Sequence, residues 1–188
     1  MKQSLRFNVN NFYIFTHLRS ILKCRESRQK YSCFFESFFF IIRANLIWNL
    51  ILETIQKKIE FLKEIFSSLS TQEEKYKKII EMGSILPFFP SEEKKEENLV
   101  QGCQSLLYLH IEVKNGKAQL KIDSDALISK GLAALIFFVY NDQALKEIII
   151  TPPKFLNDLG ILKSLSPNRA TGVISLYSKI QKICLSLA

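Results

Sequence analysis

The chain has 188 residues, enough for one domain with a real core, and its formal charge of +8 is unevenly placed. Residues 1–50 hold eight Lys/Arg against two Asp/Glu, whereas 51–188 hold eighteen against sixteen, so the body of the chain is nearly neutral. That excludes the basic stripe a phosphate backbone requires, and with it a nucleic-acid partner; the four cysteines, Cys24, Cys33, Cys103 and Cys184, lack metal-site spacing and offer no disulfide framework.

Residues 1–51 read as an N-terminal extension, rich in Phe, Asn, Arg and Ser, poor in acids and without a persistent period. Its most apolar stretch, 34–52, is interrupted by Glu36 and Arg43, so no membrane-spanning helix is expected. Two explanations fit it, a start codon assigned too far upstream or an organelle transit peptide, and either leaves it disordered or loosely helical. The domain proper is expected at 52–188. There Ile55, Ile59, Leu62, Phe66 and Leu69 mark one helical face, ended by Ser67, Ser68 and Ser70. A second helix over 72–82 turns Tyr76, Ile79 and Ile80 inward, with Gly83 as its stop. Leu86-Pro87-Phe88-Phe89-Pro90 forces an extended turn, and the run Glu92-Glu93-Lys94-Lys95-Glu96-Glu97 reads as a solvated loop that could also steer a partner.

Cys103 follows, where this polar loop gives way to a strand whose alternation sets Leu107, Leu109, Ile111 and Val113 against Leu106, Tyr108, His110 and Glu112. Gly102 lets the chain turn sharply there and a partner come close to the sulfur. The local pattern leaves two readings open, a thiol placed to be reached or a small buried hydrophobe. Asn115-Gly116 signals a tight hairpin and returns the strand over 118–122. Asp123, Ser124 and Asp125 supply capping oxygens for a helix over 126–140 that is apolar almost all round and so belongs in the middle, with Gly131, Ala133 and Ala134 permitting close approach to a sheet. A third strand is expected at 148–150, a helical turn at 155–159, and a last helix opened by Ser166-Pro167 with Val173, Tyr177, Ile180, Cys184 and Leu187 buried. The fold class is α+β, a small antiparallel three-stranded sheet packed against several helices.

Three motifs in order then carry a family resemblance: Val100-Gln101-Gly102-Cys103-Gln104-Ser105, Asp123-Ser124-Asp125-Ala126 through Lys130-Gly131-Leu132-Ala133-Ala134-Leu135, and Leu165-Ser166-Pro167-Asn168-Arg169 with Gly172. With Tyr76, Gly83, Leu86 and Pro87, they make the segment from Glu53 onward resemble SufE, the sulfur acceptor of iron–sulfur cluster assembly. Tyr108 stands where tryptophan is common in the family, Lys75 where arginine is usual and Ser164 where histidine often precedes Ser-Pro.

The resemblance implies a SufE/NifU-like two-layer fold and a covalent role for Cys103. Its thiolate would attack the outer sulfur of a persulfide on a SufS-like, PLP-dependent cysteine desulfurase, become a persulfide and serve a SufBCD-type scaffold. The chain would then be co-substrate and activator rather than a stand-alone enzyme, with no metal and no cofactor of its own, since PLP belongs to the desulfurase. A CsdE-like paralogue serving a second desulfurase is the alternative, and a homodimer is left open. Gly102, Gln104 and Ser105 form the supporting loop. Asp123 and Asp125 either hold that loop or cap the helix, with capping favoured, and Arg169 is either a fixed cation near the loop, a contact to the desulfurase or a surface charge. His110 reads as a solvated strand residue. The loop at 98–105 is expected to be mobile and to expose the sulfur on docking. The resemblance places the protein in the cytoplasm, or in a plastid or other organelle if 1–50 is a transit peptide. A cluster scaffold is disfavoured because Cys103 alone lies in a suitable loop, and a cysteine hydrolase because its base would have to be His110.

Overall fold

The computed structural model describes residues 54–162 and 165–187, which lie in one compact unit, Thr54–Ala188. The readings made for 1–51, Cys24 and Cys33 fall outside the described residues. Helix α1 (Ile55–Ser67) starts at Thr54, whose hydroxyl accepts from the Lys57 N–H, and buries Ile55, Ile59, Leu62, Ile65 and Phe66. Helix α2 (Gln72–Met82) opens with a capping box in which Thr71 and Glu74 satisfy each other's backbone N–H groups, and those N–H bonds hold the Glu74 carboxyl below its usual range. Its buried residues are Ile79 and Met82; Ile80, expected inward, is exposed. Gly83 is the C-cap where the helix ends, as expected, but it does not reverse the chain. Its φ of −56° is right-handed, and the helix tightens into a 3₁₀ turn, Gly83–Ile85.

The hairpin forms as expected. Strands β1 (Leu107–Lys114) and β2 (Lys117–Ser124) pair antiparallel from Leu107↔Ser124 to Lys114↔Lys117, and Asn115 and Gly116 both take positive φ, 54° and 73°. The buried stripe of β1 fades toward this turn: Leu107 and Leu109 are buried, Ile111 is half-buried and Val113 is exposed.

Helix α3 (Leu127–Tyr140) packs on β2 and against α1, α2 and the C-terminal helix α6 (Pro167–Leu187), and its Gly131–Phe137 segment is wholly buried. The small residue that matters most faces a helix rather than the sheet. A Cβ on Gly131 would overlap the carbonyl oxygen of Ile79 in α2 and lie 2.7 Å from the Ile79 Cγ2.

The third strand, expected at 148–150, is instead β3 (Gln143–Ala144), paired with Lys117 and Ala118 of β2. After α3, the turn at Asn141 and Asp142 (φ 61°) meets the β2 edge through polar bonds: Leu120 N–H to Asn141 Oδ1 at 2.8 Å, and Asp142 N–H to the Ala118 carbonyl at 2.8 Å. Residues 148–150 belong to helix α4 (Leu145–Ile150), where Leu145 and Ile148 turn inward one helical step apart and Ile150 stays 70 % exposed. Two tyrosines and a glutamine secure the end of α4. Tyr177 Oη donates to the Ile148 carbonyl (2.8 Å), Gln181 to that of Ile149 (2.9 Å) and Tyr140 Oη to that of Thr151 (2.8 Å). Burial raises both phenols above their ordinary pKa.

The short helix α5 (Phe155–Asp158) lies where a helical turn was expected, and α6 begins with Pro167 at its first position. Helix α6 buries Gly172, Val173, Leu176, Tyr177, Ile180 and Cys184, while Leu187, expected in that stripe, is exposed.

Gly131→Ala tests the α2–α3 crossing. Helix propensity alone would favour alanine by about 1 kcal/mol. The overlap with a backbone oxygen forces two helices apart, so a net loss of about 2 kcal/mol is expected as a lowered urea midpoint.

Candidate functional site

The site forms where the segment before β1 crosses the first turns of α3 and α6. Two 3₁₀ turns, Ser91–Glu93 and Glu96–Asn98, lead into Leu99, which bridges to Tyr108, and Val100 N–H donates to the Leu107 carbonyl at 2.8 Å. The chain thus enters the turn already tied to the strand it will become. Gly102 has φ +81°, and a Cβ there would stand 3.0 Å from Ser175 Oγ, so both conformation and space call for glycine.

Cys103 is half-buried, with its sulfur lying over the backbone of α6: a Cβ on Gly172 would come within 2.8 Å of Cys103 Sγ. On its other side the sulfur is 3.2 Å from Ser105 Oγ, and Ser105 donates to Ser129 Oγ, in the first turn of α3, at 2.7 Å. Ser124 Oγ adds a long contact to Ser105 at 3.5 Å. Cys184, by contrast, is buried and its thiol pKa is pushed up by that burial, which makes it inert.

The charged run before the turn is not simply solvated. Lys179 of α6 reaches back and donates to the main-chain carbonyls of Glu97 (2.6 Å) and Leu99 (2.8 Å); burial lowers its pKa, opposed by Glu97. Lys94 pairs with Asp123 at 2.7 Å, and Lys130 of α3 pairs with the other oxygen of the same carboxylate at 2.7 Å. Burial works to raise the Asp123 pKa, but the bonds from Lys130 and Lys94 outweigh it and hold the carboxyl below its usual range. Asn98 donates to the Glu93 carbonyl at 2.8 Å, and Glu93 in turn faces His110 Nδ1 at 3.4 Å. The other ring nitrogen faces Glu112 at 3.6 Å, whose carboxyl is held down to about 2 by Lys121 and Lys114.

These contacts correct several expectations. Asp123 and Asp125 do not cap α3: its N-cap is Ala126, no side chain caps it, and the nearby Ser124 hydroxyl accepts from the Ala126 N–H at 3.4 Å. Asp123, next to last in β2, is a double ion-pair partner of Lys94 and Lys130. Asp125 is exposed and extends the hairpin through its N–H to the Leu106 carbonyl (3.2 Å). Gln104 and Arg169 are exposed, and no hydrogen bond or ion pair of the Arg169 guanidinium occurs among the described residues. The cation that reaches the loop is Lys179. His110 is engaged by two carboxylates, so it is not the plainly solvated residue expected. Anchoring at Leu99 and Val100 fixes the start of the loop expected to be mobile, and Gln101 and Gly102 form a turn directly after it.

Gly172, Ser175 and Lys179 stand at helical steps of three and four, so one face of α6 serves the sulfur turn. Reading only the buried stripe of that helix passed over Ser175 and Lys179, and nothing local marked Ser129. Beside the turn, a groove of about 990 Å³ runs between Leu99 and Val100 and the α6 residues Ile174, Ser175, Lys182 and Ile183. Among the described residues no group of His, Cys, Asp and Glu is arranged to hold a metal, and no helix is long and apolar enough to cross a membrane.

Residues 60–184 match the family model SufE, described as an Fe-S metabolism associated domain. The chain is 40% identical over 129 residues to the cysteine desulfuration protein SufE of Wigglesworthia glossinidia brevipalpis, covering 67% of this chain and 88% of that one. It is 31% identical over 139 residues to SufE-like protein 1, chloroplastic/mitochondrial, of Arabidopsis thaliana, covering 72% of this chain and 37% of that longer protein. The solution structure of a hypothetical protein from Thermus thermophilus shares the fold, with a TM-score of 0.59 at 23% identity, over 69% of this chain and 94% of that one.

Two substitutions test the anchoring. Lys179→Met strips two carbonyls of a charged donor, at about 1–3 kcal/mol, and amide exchange over 97–103 is expected to quicken about tenfold while β2 and α3 keep their protection. Asp123 contributes stability that is complete above its unfolded pKa of about 3.9 and is lost as pH falls through its lower folded pKa. Asp123→Asn should therefore flatten the urea-midpoint curve below about pH 4, and an unchanged acid limb counts against the double ion pair.

Proposed function

We propose that this chain, which belongs to the SufE family, accepts sulfur on Cys103 from the persulfide of a cysteine desulfurase and passes it on for iron–sulfur metabolism. The observation that carries this reading is a half-buried thiol at a tight glycine turn, lying over Gly172 and within hydrogen-bond reach of Ser105. In the transfer, the Cys103 thiolate forms a bond to the outer sulfur of the donor persulfide. The donor S–S bond breaks, and the desulfurase cysteine leaves as a thiolate. Electrons and atoms balance without an outside oxidant or metal. Taking the sulfur away returns the desulfurase nucleophile to its starting state, which is how an acceptor stimulates turnover.

The surroundings suit a docked reaction. Leu106 (50% exposed) follows Ser105 in the chain, and Leu127 (67% exposed) opens the helix that carries Ser129, so exposed apolar side chains flank both serines in sequence and are available to a partner surface. A thiol resting between Gly172 and Ser105 is partly sheltered from oxidants until then. The onward acceptor in this reading is a SufBCD-type scaffold, and the protein works where its desulfurase does, in the cytoplasm or in an organelle that residues 1–51 would direct it to.

Incubation with a cysteine desulfurase and cysteine, followed by intact-mass and peptide analysis, is expected to show a gain of one sulfur atom on Cys103. Cys103→Ser should lose both the gain and the stimulation of turnover. Sulfur mapping to another residue, or full stimulation by Cys103→Ser, refutes the transfer.

A further inference from the structure

The contacts around Cys103 include one feature that sulfur transfer alone does not call for, a run of hydroxyls leading away from the sulfur into a helix. Cys103 Sγ, Ser105 Oγ and Ser129 Oγ stand in line at 3.2 and 2.7 Å, with Ser124 Oγ at 3.5 Å from the middle member. A hydroxyl has one hydrogen to give and two lone pairs, and turning that hydrogen requires no movement of heavy atoms. The chain therefore has two complete arrangements. With Cys103 as a thiol, the sulfur donates to Ser105 and Ser105 to Ser129. With Cys103 as a thiolate, which can only accept, Ser105 donates to the sulfur and Ser129 donates to Ser105.

We propose that Ser105 and Ser129 form a reversible hydroxyl chain that stabilises the Cys103 thiolate, Ser105 as a catalytic donor on the reacting sulfur and Ser129 as the positioning residue behind it. The proposal rests on the reading of Cys103 as the sulfur acceptor and adds how its nucleophile is made available. On ionisation the thiol proton passes to water at the exposed side of the sulfur, both hydroxyls turn, and no heavy atom has to move. A hydrogen bond to a charged acceptor is worth more than the same bond between neutral groups, and a second donor behind the first polarises it further. Both effects favour the ionised state. They act in a site where, among the described residues, no histidine is paired with the sulfur, since both His110 nitrogens face Glu93 and Glu112.

Ser129 is well placed for this supporting part. It sits in the first turn of α3, a helix locked into the core from Gly131 onward, so its hydroxyl is held against rigid structure while Ser105 belongs to the turn. The titratable and charged groups on the elements that meet at the sulfur are Glu92, Glu93, Lys94, Lys95, Glu96 and Glu97 of the loop, Tyr108, His110, Glu112 and Lys114 of β1, Lys117, Lys121 and Asp123 of β2, Asp125 just before α3, Lys130 and Tyr140 of α3, and Arg169, Tyr177, Lys179, Lys182 and Cys184 of α6. A substitution that leaves all of them in place isolates the hydroxyl.

The test is the pH dependence of iodoacetamide alkylation of Cys103 in the full chain, followed by peptide mass, on variants shown by circular dichroism to fold. Ser129→Val and Ser129→Thr have the same shape and differ in the hydroxyl. Ser129→Val is expected to raise the titration midpoint by about 0.5 pH unit and Ser105→Ala by about one unit, the latter slowing alkylation about tenfold below the midpoint. Ser129→Thr should titrate like the parent, and so should Ser84→Ala, whose hydroxyl is bonded to the Glu81 carbonyl. If Ser129→Val and Ser129→Thr share one midpoint, the chain does not act on the thiolate and the proposal falls. That outcome leaves the sulfur-acceptor reading standing, because sulfur loading of Cys103 by the desulfurase is scored separately.

Discussion

A helix that is apolar on nearly every side has to be covered on every side, and α3 imposes that demand on the rest of the chain. The sheet takes one face, α1 and α2 take others, and α6 closes the remainder. Buried apolar surface stabilises by roughly 25 cal/mol per Å², and residues 132–137, Val139 and Tyr140 of this helix all lie in the core. The helix also fixes geometry: the backbone of α2 can approach as closely as it does because position 131 carries no side chain. The rigid middle then delivers the start of α3, with Ser129 and Lys130, to one end of the molecule, where the sulfur turn lies.

A reactive thiol makes opposite requirements. It must be reachable, yet a loop too polar to bury gains little from the core and has to be placed by other forces. Here those forces are charge-assisted bonds from outside the loop. Lys179 grips its main chain, and Asp123 gathers Lys94 from the loop and Lys130 from α3 onto one carboxylate. Each is modest where partly solvated. Together they span both sides of the turn that holds Cys103.

Much of this was legible in the sequence where one residue type has one physical use. Asn115-Gly116 meant a primed turn, Pro167 a helix start, and the stripe from Ile55 to Phe66 a buried face. The misreadings share a cause: a local pattern with two uses, decided by a distant partner. Ile148-Ile149-Ile150 looks like a strand by composition, but Tyr177 and Gln181 of α6 take its carbonyls and make it a helix end. Asp123 and Asp125 look like caps until Lys94 arrives from the loop far upstream. Gly83 does stop the helix as its C-cap, but with a right-handed φ rather than the reversal a glycine stop suggests. Lys179 gave no signal because its targets are backbone oxygens, which every sequence has.

That last contact separates two properties usually bound together. Since the α6 ammonium bonds the carbonyls of Glu97 and Leu99, the hydrogen bonds of the tether do not depend on the side chains at those positions, and the Glu97 charge only supports the ammonium from nearby. Evolution can rewrite the outward charges of the strap to suit a new docking face without unfastening it, so partner choice and architecture can drift independently.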